Sequence, residues 1–261
     1  MVGKNNIIVL GNGFLGKKFA RNGYVVWGRS VLDIRRGFTD LRGLDRYSVV
    51  VNCIAKSNTR WCEERENFKD ALWSNGDVPA ILSDYCKVRG KRFVHVSTGC
   101  LYDDGPCGWG ECDPTVAKVN YTVTKWVGEQ GCNQSDLILR PRLLFGDFVD
   151  RNNLLCKLPT FQRYVTELNS YTSVDVVVEA MECLLGEGQQ GVFNVACEGN
   201  AAVKDVASWI GWEGTGITGS ELVQTEHLHL INNTMSISKL KKFYQPPSLK
   251  AEVLRCWEKM R

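Results

Sequence analysis

Histidine is scarce in this chain, long apolar runs are missing, and no stretch is dominated by charge of one sign. Three histidines among 261 residues leave little for a metal centre. Cys107 and Cys112 stand close together, but no second Cys/His pair lies at ligand spacing, so no metal role is expected. His227 and His229 alternate along a strand-like segment and read as surface or core residues. The apolar stretch Ile7-Ile-Val-Leu10 ends at Gly11, far short of the roughly 20 residues of a membrane helix and too short for a secretory leader. A cytoplasmic protein is expected. Lys+Arg 32 against Asp+Glu 29, a formal charge of +3 with no basic run, excludes nucleic acid and anionic membranes as partners and leaves small anionic ligands. Cysteine is the exception to this scarcity. The 11 cysteines are odd in number, scattered and set in apolar runs such as Val49-Val-Val-Asn-Cys53, the pattern of reduced thiols used as small core hydrophobes. Repeats and low-complexity segments are absent, and the length suits one globular unit with a small second lobe.

The pattern that is present begins at the N-terminus. Asn6 to Leu10 reads as a buried strand, and Gly11-Asn-Gly13-Phe14-Leu15-Gly16 follows it directly and leads into a helix. This is G-x-G-x-x-G in the strand–turn–helix setting that offers backbone amides and a helix N-terminus to a pyrophosphate. A second strand, Tyr24 to Trp27, ends in Gly28-Arg29-Ser30. An acid there would accept from the ribose hydroxyl of NAD, whereas Arg29 suits the 2′-phosphate of NADPH, with NADH as the lesser candidate. Asp40 is placed at the adenine or as a helix cap. Further strands are predicted over Ser48–Ala55 and Arg92–Ser97, with a helix over Asn67–Val88 carrying Asn75. Strands alternating with helices predict an α/β fold, a Rossmann-type doubly wound parallel sheet, with ligands at the carboxyl ends of the strands, where Ala55, Thr98 and Cys100 fall.

Val116 to Cys132 is helical in pattern and carries Tyr121 and Lys125 on one face. A free phenol, with a pKa of about 10, is a poor acid at neutral pH, and a neighbouring ammonium lowers it by about 1–3 units, towards a usable proton donor. The later segments read as a helix over Tyr171–Gly186, a strand over Gly191–Val195 and a helix over Val203–Ile210. Arg142, Lys157 and the run Ser238-Lys-Leu-Lys-Lys242 are cations that can face a diphosphate.

In order, Asn58-Thr-Arg-Trp61-Cys-Glu63, Ser97-Thr-Gly-Cys-Leu-Tyr102, Glu111-Cys-Asp-Pro114, Tyr121-Thr-Val-Thr-Lys125, Leu139-Arg-Pro-Arg142, Asn153-Leu-Leu-Cys-Lys157, Tyr171-Thr-Ser-Val-Asp175 and Ser238-Lys-Leu resemble one family. It is the extended short-chain dehydrogenase/reductases of the nucleotide-sugar type. The run is most similar to the bifunctional UDP-4-keto-6-deoxyglucose 3,5-epimerase/4-reductases, which make UDP-L-rhamnose and are related to the dTDP-4-dehydrorhamnose reductases. The resemblance implies NADPH-dependent reduction at C4, with Thr98 on the ketone oxygen, Tyr121 as proton donor and Lys125 supporting both Tyr121 and the nicotinamide ribose, so that Tyr121 and Lys125 also meet the cofactor. Cys100 and Lys157 resemble the acid/base pair that inverts C3 and C5, Asn58, Trp61, Arg142 and Asn153 fall at substrate-binding places, and Asn75 falls at a cofactor-binding one. It also implies an NADP-binding domain over 1–145, with 164–198 returning to it, and a substrate lobe from 146–163 and 199–261. An upstream 4,6-dehydratase would supply the sugar, and a homodimer is compatible with the family. Asn12 and Arg60 depart from the family pattern, and the segment from Tyr102 to Glu111 is short. A reductase without epimerase activity, a GDP-fucose-synthase-like enzyme and a non-catalytic regulatory subunit are the alternatives.

Overall fold

A computed structural model describes residues 3–32, 34, 38–226 and 229–261; the side chains of 38–40 fall outside it, so the expectations for Asp40 and His227 lie outside the described residues. The chain forms two compact units. One comprises Met1–Ser97, Ala117–Leu139 and Met181–Val192, the other Thr98–Val116, Arg140–Ala180 and Phe193–Arg261.

The first unit is built on strands β1 (Ile7–Leu10), β2 (Val25–Trp27), β3 (Val49–Asn52) and β4 (Arg92–Val96), joined by Leu137–Pro141 and Gly191–Val195, which begin in this unit. Every residue of β1 and β3 is buried, as expected of Val/Ile-rich strands in a sheet covered on both faces. The sheet has six strands in the order Gly191–Val195, Leu137–Pro141, β4, β3, β1, β2. β1 pairs parallel with β2 and β3, and β4 pairs parallel with β3 and Leu137–Pro141. The strand order reverses between β1 and β3, which is where a doubly wound sheet opens a crevice. Ile8, Leu10, Leu41, Leu44, Val50, Leu82 and Phe93 form a core against one face.

The predicted helix over Asn67–Val88 is interrupted. Helices Phe68–Leu72 and Val78–Val88 are separated by one π-helical turn, Trp73–Asp77. Pro79 has no N–H to give to the carbonyl of Asn75, so the turn widens there, and apolar periodicity gives no sign of it.

The second unit carries short paired strands. Gly105–Trp109 pairs with Asn233–Met235, Arg163–Val165 with Thr215–Ile217, and Leu168–Asn169 with Ala201–Ala202. Its core includes Tyr102, whose hydroxyl donates to Asn194 Oδ1 at 2.9 Å and accepts from Arg140 Nη1 at 2.7 Å.

Candidate active site

In the first unit, the Gly-rich turn lies where β1 meets β3. Gly11 has φ +105°, and a Cβ there would meet the backbone of Cys53 and Ile54 at 2.8–2.9 Å, so the turn seats against the end of β3 only as glycine. A Cβ on Gly16 would overlap the Gly11 carbonyl, whereas one on Gly13 would meet open space. Helix α1 (Phe14–Arg21) follows with no side-chain cap on its N-terminus. The glycines thus shape a backbone concavity at an uncapped helix end, which fits a dinucleotide pyrophosphate. Arg29, at the end of β2, is exposed.

Asn75 is fully buried. Its Oδ1 accepts from Lys56 N at 2.7 Å, and its Nδ2 donates to Lys56 O and to Thr124 Oγ1, both at 3.0 Å. Both amide hydrogens are therefore committed, and Asn75 joins the segment after β3 to helix Asn120–Gln130 rather than reaching a ligand. Gly128 lets that helix approach the π turn, since a Cβ there would overlap the Asn75 carbonyl. At its other end the helix is capped from a distance. Glu63, the last residue of α2 (Thr59–Glu63), accepts from the amides of Asn120 and Tyr121 at 3.2 Å each. A carboxylate at a helix N-terminus is stabilising, and this one fixes the backbone of Tyr121. Asn58 caps α2 through Trp61 N at 3.1 Å, and Lys56 Nζ lies 4.5 Å from the centre of the Trp61 ring.

Lys125 is 1% exposed, and its Nζ donates to Val96 O at 2.8 Å. Burial draws its pKa from 10.5 down to about 8, with Glu129 opposing the shift. The nearby His95 is wholly buried and held well below the ordinary imidazole range, first by burial and then by Lys125. Its Nδ1 accepts from Asn52 Nδ2 at 3.1 Å, so it is a neutral ring that brings no compensating charge. Tyr121, also buried, sits one helical turn before Lys125. A desolvated ammonium one helical turn after a buried tyrosine, on the same helix face, is the arrangement expected of a proton-donating tyrosine.

In the second unit, Thr98 caps the turn Gly99–Leu101 by accepting from Cys100 N at 3.2 Å. Arg142, expected to face a diphosphate, is instead 2% exposed and directed at Cys100, with Nη1 2.8 Å from Sγ. Asn153, expected to meet substrate, is fully buried and spends its amide on Gly146 O and Phe148 O, at 2.9 and 2.8 Å, while capping helix Leu154–Lys157. Lys157 ends that helix with its pKa lowered by burial and partly restored by Asp150. In the Ser238–Lys242 run, Lys241 pairs with Glu198 at 2.6 Å and Lys239 lies 3.9 Å from the Phe193 ring centre. Asp175, Glu252 and Cys256 come together, but Arg255 donates to Asp175 and Glu252 at 2.9 and 2.7 Å and fills the place of a cation. A cavity of about 570 Å³ elsewhere in this unit is lined by Asp104, Glu167, Leu168, Val223 and His229, and by none of the candidate catalytic residues.

Residues 6–213 match the family model described as the RmlD substrate binding domain. A relative in Haloferax volcanii, described as "Probable low-salt glycan biosynthesis reductase Agl14", is 26% identical over 203 residues, spanning 70% of this chain and 67% of its own. The fold is similar to that of a dTDP-4-dehydrorhamnose reductase from Bacillus anthracis solved with NADP (TM-score 0.81, 18% identity, 98% and 99% of the two chains). It is equally similar to that of the L780 UDP-rhamnose synthase of Acanthamoeba polyphaga mimivirus (TM-score 0.81, 18% identity, 97% and 99%).

Proposed function

We propose, for a chain that belongs to the RmlD substrate binding domain family, an NADPH-dependent reductase of nucleotide-linked 4-keto-6-deoxy sugars that also epimerises C3 and C5. The observation that carries the reductase reading is Lys125: an ammonium 1% exposed, one turn from Tyr121, tied to the end of β4. Such a desolvated cation has a cost, and lowering the pKa of a proton-donating phenol gives it a function. The relative described as a reductase and the solved dTDP-4-dehydrorhamnose reductase support the same chemistry.

The cofactor would lie on the concavity of Gly11, Gly13, Phe14, Leu15 and Gly16, with Ala55 and the Lys56 backbone beside it and Arg29 toward the 2′-phosphate. NADPH held there supplies the hydride. Tyr121 gives its phenolic proton to the developing C4 alkoxide, Thr98 donates a hydrogen bond to the same oxygen, and Lys125 keeps the phenol acidic. Arg29→Asp should cut the preference for NADPH over NADH on the order of 10- to 100-fold, the loss of one charge-assisted contact. Steady-state kinetics with both cofactors checks this, and an unchanged ratio removes Arg29 from cofactor choice.

For epimerisation the 4-ketone acidifies C3–H and C5–H, and inversion needs a proton acceptor on one face and a donor on the other. Cys100 and Lys157 are the groups we assign to this. The half-buried Lys157, its pKa lowered by burial, exchanges protons more readily than a surface lysine. Asn58 and Trp61 are assigned to the substrate, UDP being the carrier favoured by the motif run. The test incubates the protein with UDP-4-keto-6-deoxyglucose in deuterated water, first alone and then with NADPH, following the sugar by NMR. Deuterium at C3 and C5 before NADPH, and L-rhamnose after it, is the expected result. NADPH oxidation without exchange, on this sugar or its thymidine analogue, would leave a reductase alone.

A further inference from the structure

The side chain of Arg142 is buried to 2% exposure, yet among the described residues none of its hydrogen bonds goes to a carboxylate. Nε donates to Asn233 O at 3.3 Å, Nη2 to Asn169 Oδ1 and Ile231 O, and Nη1 to Cys100 Sγ at 2.8 Å. A buried guanidinium is costly unless its donors are met and its charge offset. Here four hydrogen bonds run from the guanidinium to uncharged acceptors, and among these Cys100 is the one that can exchange a proton.

The contact has a single polarity. A guanidinium has no lone pair to offer, so the sulfur accepts, and a thiol proton, whenever present, points away from Arg142. The direction of the sulfur is therefore set by the guanidinium, and the guanidinium is itself rigid. Asn233, which accepts from Nε, donates through Nδ2 to Gly99 O at 3.1 Å and Tyr102 O at 3.3 Å, holding the turn that carries Cys100. Its amide meets Asn169 Oδ1 at 3.2 Å, the same oxygen that takes Nη2. Gly99 is needed for this closeness: a Cβ there would overlap Met235 Sδ and lie 3.5 Å from Arg142 Cβ. Leu143, the next residue, takes φ +40°, a conformation unfavourable for leucine that the surrounding contacts must hold in place.

From these contacts we infer that Arg142 is the positioning residue of Cys100, aiming its sulfur for proton transfer to and from the sugar carbons, and is not a diphosphate ligand. The inference rests on the epimerase reading above for what Cys100 does, but the Arg142–Cys100 contact has its own readout. In deuterated water with UDP-4-keto-6-deoxyglucose, Arg142→Gln and Arg142→Lys should lower the rate of C3/C5 exchange about 30-fold or more relative to any effect on ketone reduction, with KM moved less than about threefold. Lysine keeps the buried cation at similar volume, so it serves if the glutamine variant fails to fold. It should restore little, because a single ammonium cannot hold the sulfur, Asn169, Ile231 and Asn233 together.

Alkylation by iodoacetamide, read peptide by peptide by mass spectrometry, should change at Cys100 at least fivefold in the variants while the exposed Cys107 keeps its rate. Absence of exchange in the wild-type protein defeats the epimerase reading and leaves alkylation to decide whether Arg142 controls the sulfur. Wild-type exchange that persists in both variants, unchanged Cys100 alkylation, or a large rise in KM with the exchange rate intact would each overturn the positioning role.

Discussion

Tyr121→Phe is expected to slow NADPH-dependent reduction of the 4-keto sugar by about 10³-fold while leaving C3/C5 exchange measurable. Removing one hydroxyl deletes the proton that must reach the C4 alkoxide, and a positioned general acid typically contributes about 10²- to 10⁴-fold. Cofactor binding should persist, since the glycine concavity and Arg29 are untouched, and so should the helix, because Glu63 caps it through backbone amides and not through the phenol. Cys100→Ala should show the opposite pattern. Exchange falls, while a sugar already inverted at C3 and C5 is still reduced. Stopped-flow absorbance for NADPH and NMR for deuterium separate the two activities in one set of samples. Equal loss of both in Tyr121→Phe, with unchanged thermal unfolding, would sink the division of labour between Tyr121 and Cys100.

Much of the architecture that supports this division is legible in the sequence, and the reasons it is legible are local. A buried parallel strand reads as a near-continuous apolar run, so Ile7-Ile-Val-Leu10 and Val49-Val-Val51 stand out, and a tight turn that packs backbone on backbone must be glycine, so Gly11 and Gly16 do as well. Tyr121 and Lys125 are visible because helical spacing alone puts them on one face.

What periodicity does not carry is the partner of a polar side chain. Asn75 reads as a ligand residue in a helix, but Pro79 opens a π turn that turns its amide onto Lys56 and Thr124. Arg142 reads as a cation facing a diphosphate, but its buried contacts come from segments near residues 100, 169 and 231, which no spacing rule links. Glu63 is present in the motif run, and its capping of a helix almost 60 residues later is a tertiary fact. The unit boundaries are equally unmarked. They fall at Ser97/Thr98, Val116/Ala117, Leu139/Arg140, Ala180/Met181 and Val192/Phe193, the third and fifth inside continuous strands and the fourth inside helix Val174–Gly186.

Lys125→Met is expected to abolish reduction and yet to stabilise the protein near neutral pH. The buried ammonium has its pKa lowered from 10.5 to about 8, first by desolvation. In the unfolded chain it keeps its ordinary affinity for the proton. Below about pH 8 both states are protonated, and the whole penalty of burying the charge is present. Between about 8 and 10.5 the unfolded chain binds more protons than the folded one, so the stability of the wild-type protein should rise with pH across that window. The span corresponds to an order-of-magnitude penalty of about 3 kcal/mol at pH 7. Methionine removes it but leaves Val96 O without its 2.8 Å donor, at a cost of about 1–3 kcal/mol, so a net gain of about 0–2 kcal/mol is expected. Urea unfolding at pH 7 and pH 10 checks this. The advantage of the variant should be largest at pH 7 and shrink or reverse by pH 10. A variant that is less stable than wild type by the same margin at both pH values would show that the ammonium is not held at a cost. In the unliganded enzyme the same titration removes the cation one helical turn from Tyr121 as pH rises through about 8, so the reductase rate, measured at low cofactor occupancy, should fall over the range in which the fold gains stability. Opposite slopes for stability and for reduction, both lost in Lys125→Met, would tie the strained charge to the chemistry it serves.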